Sequence, residues 1–160
     1  MRIIALFVTG LIIAGLAAVP ALASEQNTGI GVMVGYSIAA DNDAVEDFAL
    51  GLKYRLDTWE AAVDFFRAEF PNGGYDKVGV ASIDYTWDFA RIPDENYGLY
   101  GGAGISWLGA TDFFYSDGLC ANILVGYDYT SSWSLAGRFF YTFEGGEMFA
   151  IGGFCYLFDI

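Results

Sequence analysis

Residues 119–143 read LCANILVGYDYTSSWSLAGRFFYTF, two runs of alternating side chains joined by a short polar segment. In each run, one set of alternate positions is apolar and often aromatic, and the other set is mostly small or polar. Alternation with a period of two is typical of a β-strand that has one apolar face. The stretch therefore predicts a hairpin of two long antiparallel strands.

The same alternation recurs from Thr28 to the end of the chain. It predicts eight strands, with the segment from Arg67 to Phe70 departing from the alternation after the third strand. We place the strands at residues 28–39, 48–56, 59–65, 79–89, 97–107, 119–129, 133–143 and 148–158. Both faces of the last strand are apolar, and its final residues indicate that Phe154, Tyr156 and Phe158 share the outer face.

A tight turn sets the pairing of the second and third strands. Asp57-Thr58 is a two-residue connection of the kind that joins antiparallel neighbours in a hairpin. It predicts that Leu56 pairs with Trp59. One position further from the turn, Arg55 should then pair with Glu60.

The first residues have the pattern of a secretory signal peptide. Arg2 is followed by an apolar run from Ile3 to Val19, and Ala21-Leu22-Ala23 supplies a cleavage site. An uncleaved membrane helix is the alternative, but the run is shorter than the ~20 residues that a span needs. We expect cleavage after Ala23, which leaves residues 24–160 as one β-barrel domain.

The chain is acidic, with a formal net charge of −13 that becomes more negative once Arg2 is lost. No basic stripe is present, so a nucleic-acid partner is not expected. The sequence contains no histidine, which excludes histidine-based acid–base catalysis and nucleophile activation. It contains neither a calcium loop of the Asp-x-Asp-x-Asp-Gly type nor a glycine fingerprint before a helix. We therefore expect no enzyme activity, no metal site and no cofactor.

Alternation alone fits either a soluble, lipocalin-like barrel with its apolar face inside or a membrane barrel with that face outside. The apolar face is too bulky for an eight-stranded interior, which side chains of ordinary size already fill. Its aromatic residues also fall in two bands, as expected at two membrane interfaces. The predicted bands contain Tyr54, Trp59, Trp87, Phe89, Tyr97, Tyr129 and Trp133 near one rim, and Trp107, Tyr141 and Phe143 near the other. This indicates a transmembrane barrel.

The other face consists of small residues and a few charges, which suits a narrow lumen. Charged groups inside a barrel need partners, because isolated buried charges are costly. We predict an ion network in the lumen that contains Lys53, Arg55, Glu60, Asp64, Asp84, Asp88, Asp128 and Arg138. A catalytic pair of carboxylates is the alternative interpretation of the same residues.

The two cysteines fall at different heights of this barrel. Cys120 lies near one rim and Cys155 near the other, much further apart than the ~7 Å between Cα atoms that a disulfide allows. We expect two free thiols, although an exported chain enters an oxidising compartment.

A signal peptide, eight amphipathic strands, tight turns at one rim and a final aromatic residue, Phe158, resemble the small outer-membrane barrels. These are the OmpA membrane domain, OmpX and the porin-like group described as the outer membrane protein β-barrel domain. The resemblance covers the mature chain. The sequence departs from the family where Asp159-Ile160 follow the aromatic residue, and we expect no wall-binding domain after the barrel.

The resemblance implies a bacterial outer-membrane location and contact with membrane lipids and lipopolysaccharide. It also implies handling by periplasmic chaperones and by the barrel-insertion machinery. The function that we expect is a structural envelope role with a lumen largely filled by side chains. The alternatives are a minor cation-preferring pore, a surface adhesin or interaction protein, and a soluble lipocalin-like lipid carrier.

Overall fold

The structure, a computed structural model, describes residues 28–39, 47–69, 75–91, 98–110, 118–144, 146 and 148–159. The predicted signal peptide and Tyr97 lie outside the described residues. The strands are β1 (Gly29–Ala39), β2 (Asp47–Leu56), β3 (Trp59–Glu69), β4 (Tyr75–Arg91), β5 (Gly98–Ala110), β6 (Gly118–Asp128), β7 (Trp133–Thr142) and β8 (Met148–Asp159). Within this part of the chain, no helix is long and apolar enough to cross a membrane.

Each strand pairs antiparallel with the next, and β8 pairs with β1, so the sheet is a closed barrel. The predicted eight-stranded, antiparallel, up-and-down barrel is confirmed. The start of β1, the end of β8 and the 57–58 turn lie at one end of the barrel, which we call the terminal rim. The other end is called the opposite rim.

The turn at Asp57-Thr58 is also confirmed. Leu56 pairs with Trp59, and Arg55 pairs with Glu60. Asp57 has a φ of 54°, the left-handed conformation that a tight two-residue turn requires and that aspartate tolerates better than most residues.

Several predicted strand ends are wrong. β3 continues to Glu69. Its side chains still alternate between the two faces, since Phe66 packs in the lumen and the next residue, Arg67, points outward. β4 begins at Tyr75 because its ladder with β3 reaches Glu69, and β5 ends at Ala110 because its ladder with β4 reaches Val78. A bulge between Asp88 and Ala90 interrupts the same ladder.

The two faces of the wall are distributed as predicted. The large hydrophobic side chains of alternate positions point outward and are exposed, from 37% for Tyr127 to 61% for Ile105. On β8, Phe154 and Phe158 point outward, whereas Cys155 is buried in the lumen, so the predicted orientation of the last strand is correct.

The lumen is less uniformly small and polar than we expected. Its charged residues occupy the half nearer the terminal rim. The half nearer the opposite rim is filled by large apolar side chains, which are Phe66, Val78, Val80, Leu108, Phe140, Phe149 and Ile151. The sequence pattern underestimated these residues because isolated apolar side chains on a mixed face do not break the alternation.

The seam between β1 and β8 is exceptionally close. A Cβ atom on Gly35 would overlap the carbonyl oxygen of Gly152, and a Cβ atom on Gly153 would overlap that of Val34. The contacts are with backbone atoms, which cannot rotate away as a flexible side chain would. Glycine at these positions therefore allows the last strand to join the first.

We expect Gly35→Ala to lower the free energy of unfolding by about 1–3 kcal/mol, the usual range for overpacking. The measurement is urea-induced unfolding of the refolded protein in phospholipid vesicles, followed by tryptophan fluorescence. Gly137→Ala is the matched control, because the nearest atom to its Cβ position is 3.9 Å away. An equal loss of stability in the two variants would contradict the close approach at the seam.

Candidate functional site

Arg138 lies at the centre of the lumen and bridges opposite walls. It projects inward from β7, and its Nε donates to Oδ2 of Asp84 at 2.9 Å, while Nη1 donates to Oδ2 of Asp64 at 3.2 Å. Its Nη2 donates to Oε1 of Glu60. Because β7 and β3 lie on opposite sides of an eight-stranded barrel, the contacts with Glu60 and Asp64 cross the lumen.

Arg55 makes a second bridge nearer the terminal rim. Its Nε and Nη2 atoms donate to Oε2 of Glu60 at 3.2 Å and 3.1 Å. Its Nη1 lies 3.3 Å from Oδ2 of Asp128. Since β2 and β6 are also on opposite sides of the barrel, this pair crosses the lumen as well.

Glu60 is the carboxylate that joins the two bridges. Besides Arg55 and Arg138, it meets Lys53, whose Nζ lies 3.2 Å from Oε1. The side chain of Glu60 is 0% exposed, so three cations replace the water that a surface carboxylate would have. An arrangement of this kind fills the lumen and fixes the register of the strands that it joins.

The structure thus brings together seven of the eight residues that we predicted for the network. These are Lys53, Arg55, Glu60, Asp64, Asp84, Asp128 and Arg138, and we call them the ionic layer. Asp88, the eighth, is buried on the lumen side of β4, closer to the terminal rim than Asp84.

Glycines on neighbouring strands provide the room for these side chains. A Cβ atom on Gly51 would overlap Oδ1 of Asp64, and one on Gly104 would lie 2.6 Å from Oδ1 of Asp84. The space over Gly104 also lets Nδ2 of Asn122 donate to Oδ1 of Asp84 from two strands away. Gly51 and Gly104 therefore make room for the ion network. The number of glycines in the sequence does not by itself indicate this role.

Sequence reasoning missed Tyr100, which packs against the ionic layer. The ring lies over Gly126, where a side chain would overlap it, and Cζ of Arg55 is 4.6 Å from the ring centroid. This is a cation–π contact between two buried side chains. The buried hydroxyl of Tyr100 has no hydrogen-bond partner among the described residues. The ring therefore contributes packing and charge stabilisation.

A second closure of the lumen, the aromatic layer, consists of Phe66, Phe140 and Phe149. Phe140 and Phe149 are stacked, with ring centroids 4.5 Å apart and an interplanar angle of 8°. Phe66 approaches Phe149 from β3, with centroids 5.9 Å apart. Neither the period-two pattern nor the charge distribution indicated this layer, because its members are far apart in the sequence.

The predicted aromatic bands lie on the outer surface wherever the structure describes them. Tyr54, Trp59, Trp87, Phe89 and Trp133 point outward near the terminal rim, and Trp107 and Tyr141 point outward towards the opposite rim. Tyr129 and Phe143 lie just beyond the ends of β6 and β7, in the connections rather than in the strands. Several of these rings meet edge to face, as in Trp59 with Tyr85 at 5.3 Å between centroids.

Both cysteines are buried and form no disulfide, as predicted. Cys120 pairs with Thr142 towards the opposite rim, and Cys155 pairs with Ser134 towards the terminal rim. Among the described residues, no three histidine, cysteine or acidic side chains are placed so that they could hold a metal ion.

Neither a scan against protein-family models nor a search of curated proteins finds a match. Solved structures do match over nearly the whole described chain. The N-terminal β-barrel domain of Pseudomonas aeruginosa OprF has a TM-score of 0.56 and 19% identity, covering 84% of this chain and 100% of that one. Neisserial surface protein A has a TM-score of 0.56 and 16% identity, covering 84% and 99%.

A third structure, the outer membrane protein OprG from Pseudomonas aeruginosa, has a TM-score of 0.50 and 11% identity, covering 85% of this chain and 99% of that one. The chain has the fold of the small eight-stranded outer-membrane β-barrels. Identities of this size concern the fold, so the role of the protein must be argued from its own wall and lumen.

We expect Arg138→Ala to lower the free energy of unfolding by about 3–5 kcal/mol, because three buried carboxylates would lose a partner. Arg67→Ala is the control, since Arg67 pairs with Asp47 at the surface, with its side chain 55% exposed. That variant should lose less than about 1 kcal/mol. Unfolding by urea in vesicles measures both values, and similar losses would show that the buried bridge does not stabilise the barrel.

Proposed function

We propose that the protein is an integral component of the bacterial outer membrane with a structural, non-catalytic role and a closed lumen. The observation that carries this proposal is the inverted distribution of side chains. Aliphatic and aromatic residues cover the outside, whereas charged side chains that face the interior are paired with one another.

The outer wall supports a membrane location on physical grounds. Soluble monomers rarely expose continuous apolar patches larger than a few hundred Å². Here the exposed apolar residues occur on all eight strands, including Ile38, Leu52 and Phe139. A closed sheet satisfies its backbone hydrogen bonds internally, which is the condition for crossing a bilayer. The likeness in fold to OprG, an outer membrane protein, agrees with this location.

The closed lumen supports a structural role rather than transport. Glu60 and Asp84 in the ionic layer, and Val80 and Leu108 beside the aromatic layer, are all 0% exposed. A water molecule therefore has no access to the surfaces that would line a pore at either level. A lipocalin-like carrier is also disfavoured, because the described interior holds paired charges where a lipid would need an apolar cavity.

A cation-preferring pore is the second candidate. Five carboxylates and three basic groups face the lumen, which gives the described interior an excess of negative charge. A conformation in which the cross-lumen pairs separate would present that charge to passing ions, and rings of carboxylates favour cations. The two candidates differ in a single measurable property, the conductance of the folded protein.

The bilayer location is tested by adding one charge at two depths of the same strand. Leu52 and Leu56 both point outward, but Leu52 lies in mid-strand and Leu56 adjoins the turn at the terminal rim. In phospholipid vesicles, Leu52→Arg should lower the free energy of unfolding by about 2–4 kcal/mol and Leu56→Arg by about 0–1 kcal/mol. Equal, small losses would mean that the outer wall does not contact lipid.

The closed lumen is tested by recording the refolded protein in a planar bilayer. We expect no discrete conductance steps, because the ion pairs and the aromatic layer both occupy the lumen. Anomalous migration of the unboiled protein on an SDS gel serves as the control for folding. Reproducible cation-selective steps from folded protein would replace the structural role with the pore.

A further inference from the structure

The lumen is closed twice, at successive levels and by different chemistry. We propose that the ionic layer and the aromatic layer are independent seals in series, so that the barrel stays closed when either one is lost. This inference rests on the proposed function, because it concerns how a membrane-spanning barrel is kept from conducting.

The ionic layer qualifies as a seal because its bonds run across the lumen rather than along one wall. Arg55 joins β2 to β6, and Arg138 joins β7 to β3. These strand pairs lie opposite each other, and their lines of contact cross near Glu60, which binds both guanidinium groups. An ion that enters from the terminal rim would have to separate these pairs.

The aromatic layer also joins opposite walls but involves no charge. Phe66 comes from β3 and Phe140 from β7, and Phe149 lies between them through its contacts with both rings. Side chains that surround the rings, including Val80 and Leu108, have no accessible surface. A dry apolar constriction excludes ions by excluding their hydration water.

The two layers are adjacent yet separate. On β3, Phe66 follows Asp64 by one inward position, and on β7, Phe140 follows Arg138 in the same way. Successive inward positions are about 7 Å apart along a strand. The layers therefore stack along the barrel, with the ionic layer towards the terminal rim. The charged side chains of the ionic layer and the rings of the aromatic layer are separate sets of residues.

Different chemistry gives the two seals different sensitivities. Protonation of the carboxylates would remove the ion pairs, whereas it would leave the contacts between the uncharged phenyl rings unchanged. A condition that loosens the ionic layer would thus leave the aromatic layer shut. On this proposal the two openings are separate events, so a conducting state requires both.

Four variants test this inference in planar bilayers. The ionic variant carries Arg55→Ser, Asp84→Ser, Asp128→Ser and Arg138→Ser, which removes equal numbers of positive and negative charges. The aromatic variant carries Phe66→Ala and Phe140→Ala. The third protein combines both sets. The matched control combines the ionic set with Phe65→Ala and Phe139→Ala, the preceding residues, which point outward.

We expect the wild-type protein, each single-layer variant and the matched control to be silent, and the combined variant to give discrete steps. Steps from either single-layer variant, with a silent wild type, would overturn the two seals while leaving the closed lumen intact. A folded but silent combined variant would overturn them as well. Steps from the wild type would instead refute the proposed function.

Thiol labelling gives a second test that does not require the combined variant to fold. Both cysteines belong to the apolar cluster of the lumen, but at different heights. Cys120 pairs with Thr142 towards the opposite rim, and Cys155 lies nearer the terminal rim, across from Met33. A small charged thiol reagent should modify Cys120 alone in the aromatic variant and Cys155 alone in the ionic variant. Modification of both cysteines in a single-layer variant would show one continuous path and overturn the inference.

Discussion

The contact on which the interior depends is the meeting of Glu60 with three basic side chains. A carboxylate with no access to water is tolerable only because Lys53, Arg55 and Arg138 surround it. Those cations come from β2 and β7, so the requirement binds two strands to β3. A shift of one residue in any of these strands would turn its charged side chain to the outer face. The network therefore fixes the register of the strands as well as filling the space between them.

A narrow barrel can hold such long side chains only where the neighbouring strand has a glycine, which carries no side chain. Asp64, Asp84 and Tyr100 each lie against a glycine of a neighbouring strand, at Gly51, Gly104 and Gly126. On the outer face, the same strands carry large aromatic and aliphatic side chains, because no opposite wall limits their size. The composition of the chain, rich in both glycine and aromatic residues, follows from this division between a crowded interior and an open exterior.

The period of two was sufficient to predict the strand count, whereas the outward face was assigned from the bulk and the banding of its aromatic residues. The 57–58 turn was predicted from its two-residue length, and the orientation of the last strand from its final residues. The period of two failed at the ends of β3, β4 and β5, where pairing with the neighbouring strand continues although the sequence no longer alternates clearly between apolar and polar residues. The predicted charged residues do face the lumen, since parity alone decides that. Arg55 and Glu60 were predicted as partners from the turn between them. Partners across the lumen could not be predicted, because Asp64 and Arg138 are brought together by closure of the barrel rather than by the chain between them. For the same reason, the sequence did not predict the roles of Asn122, Tyr100 and the aromatic layer. The signal that could have indicated such contacts is an inward-facing glycine opposite a large polar residue.

The pairing of β1 with β8 joins Gly29 to Asp159, residues from the two ends of the described chain. Contacts of such long sequence separation carry the greatest entropic cost of closure and slow folding accordingly. Until they form, the sheet has two unpaired edges, and neither edge can be tolerated in lipid. The barrel is therefore stable only once its final strand has paired with the first. Insertion of the chain should accordingly proceed as a single cooperative event rather than strand by strand.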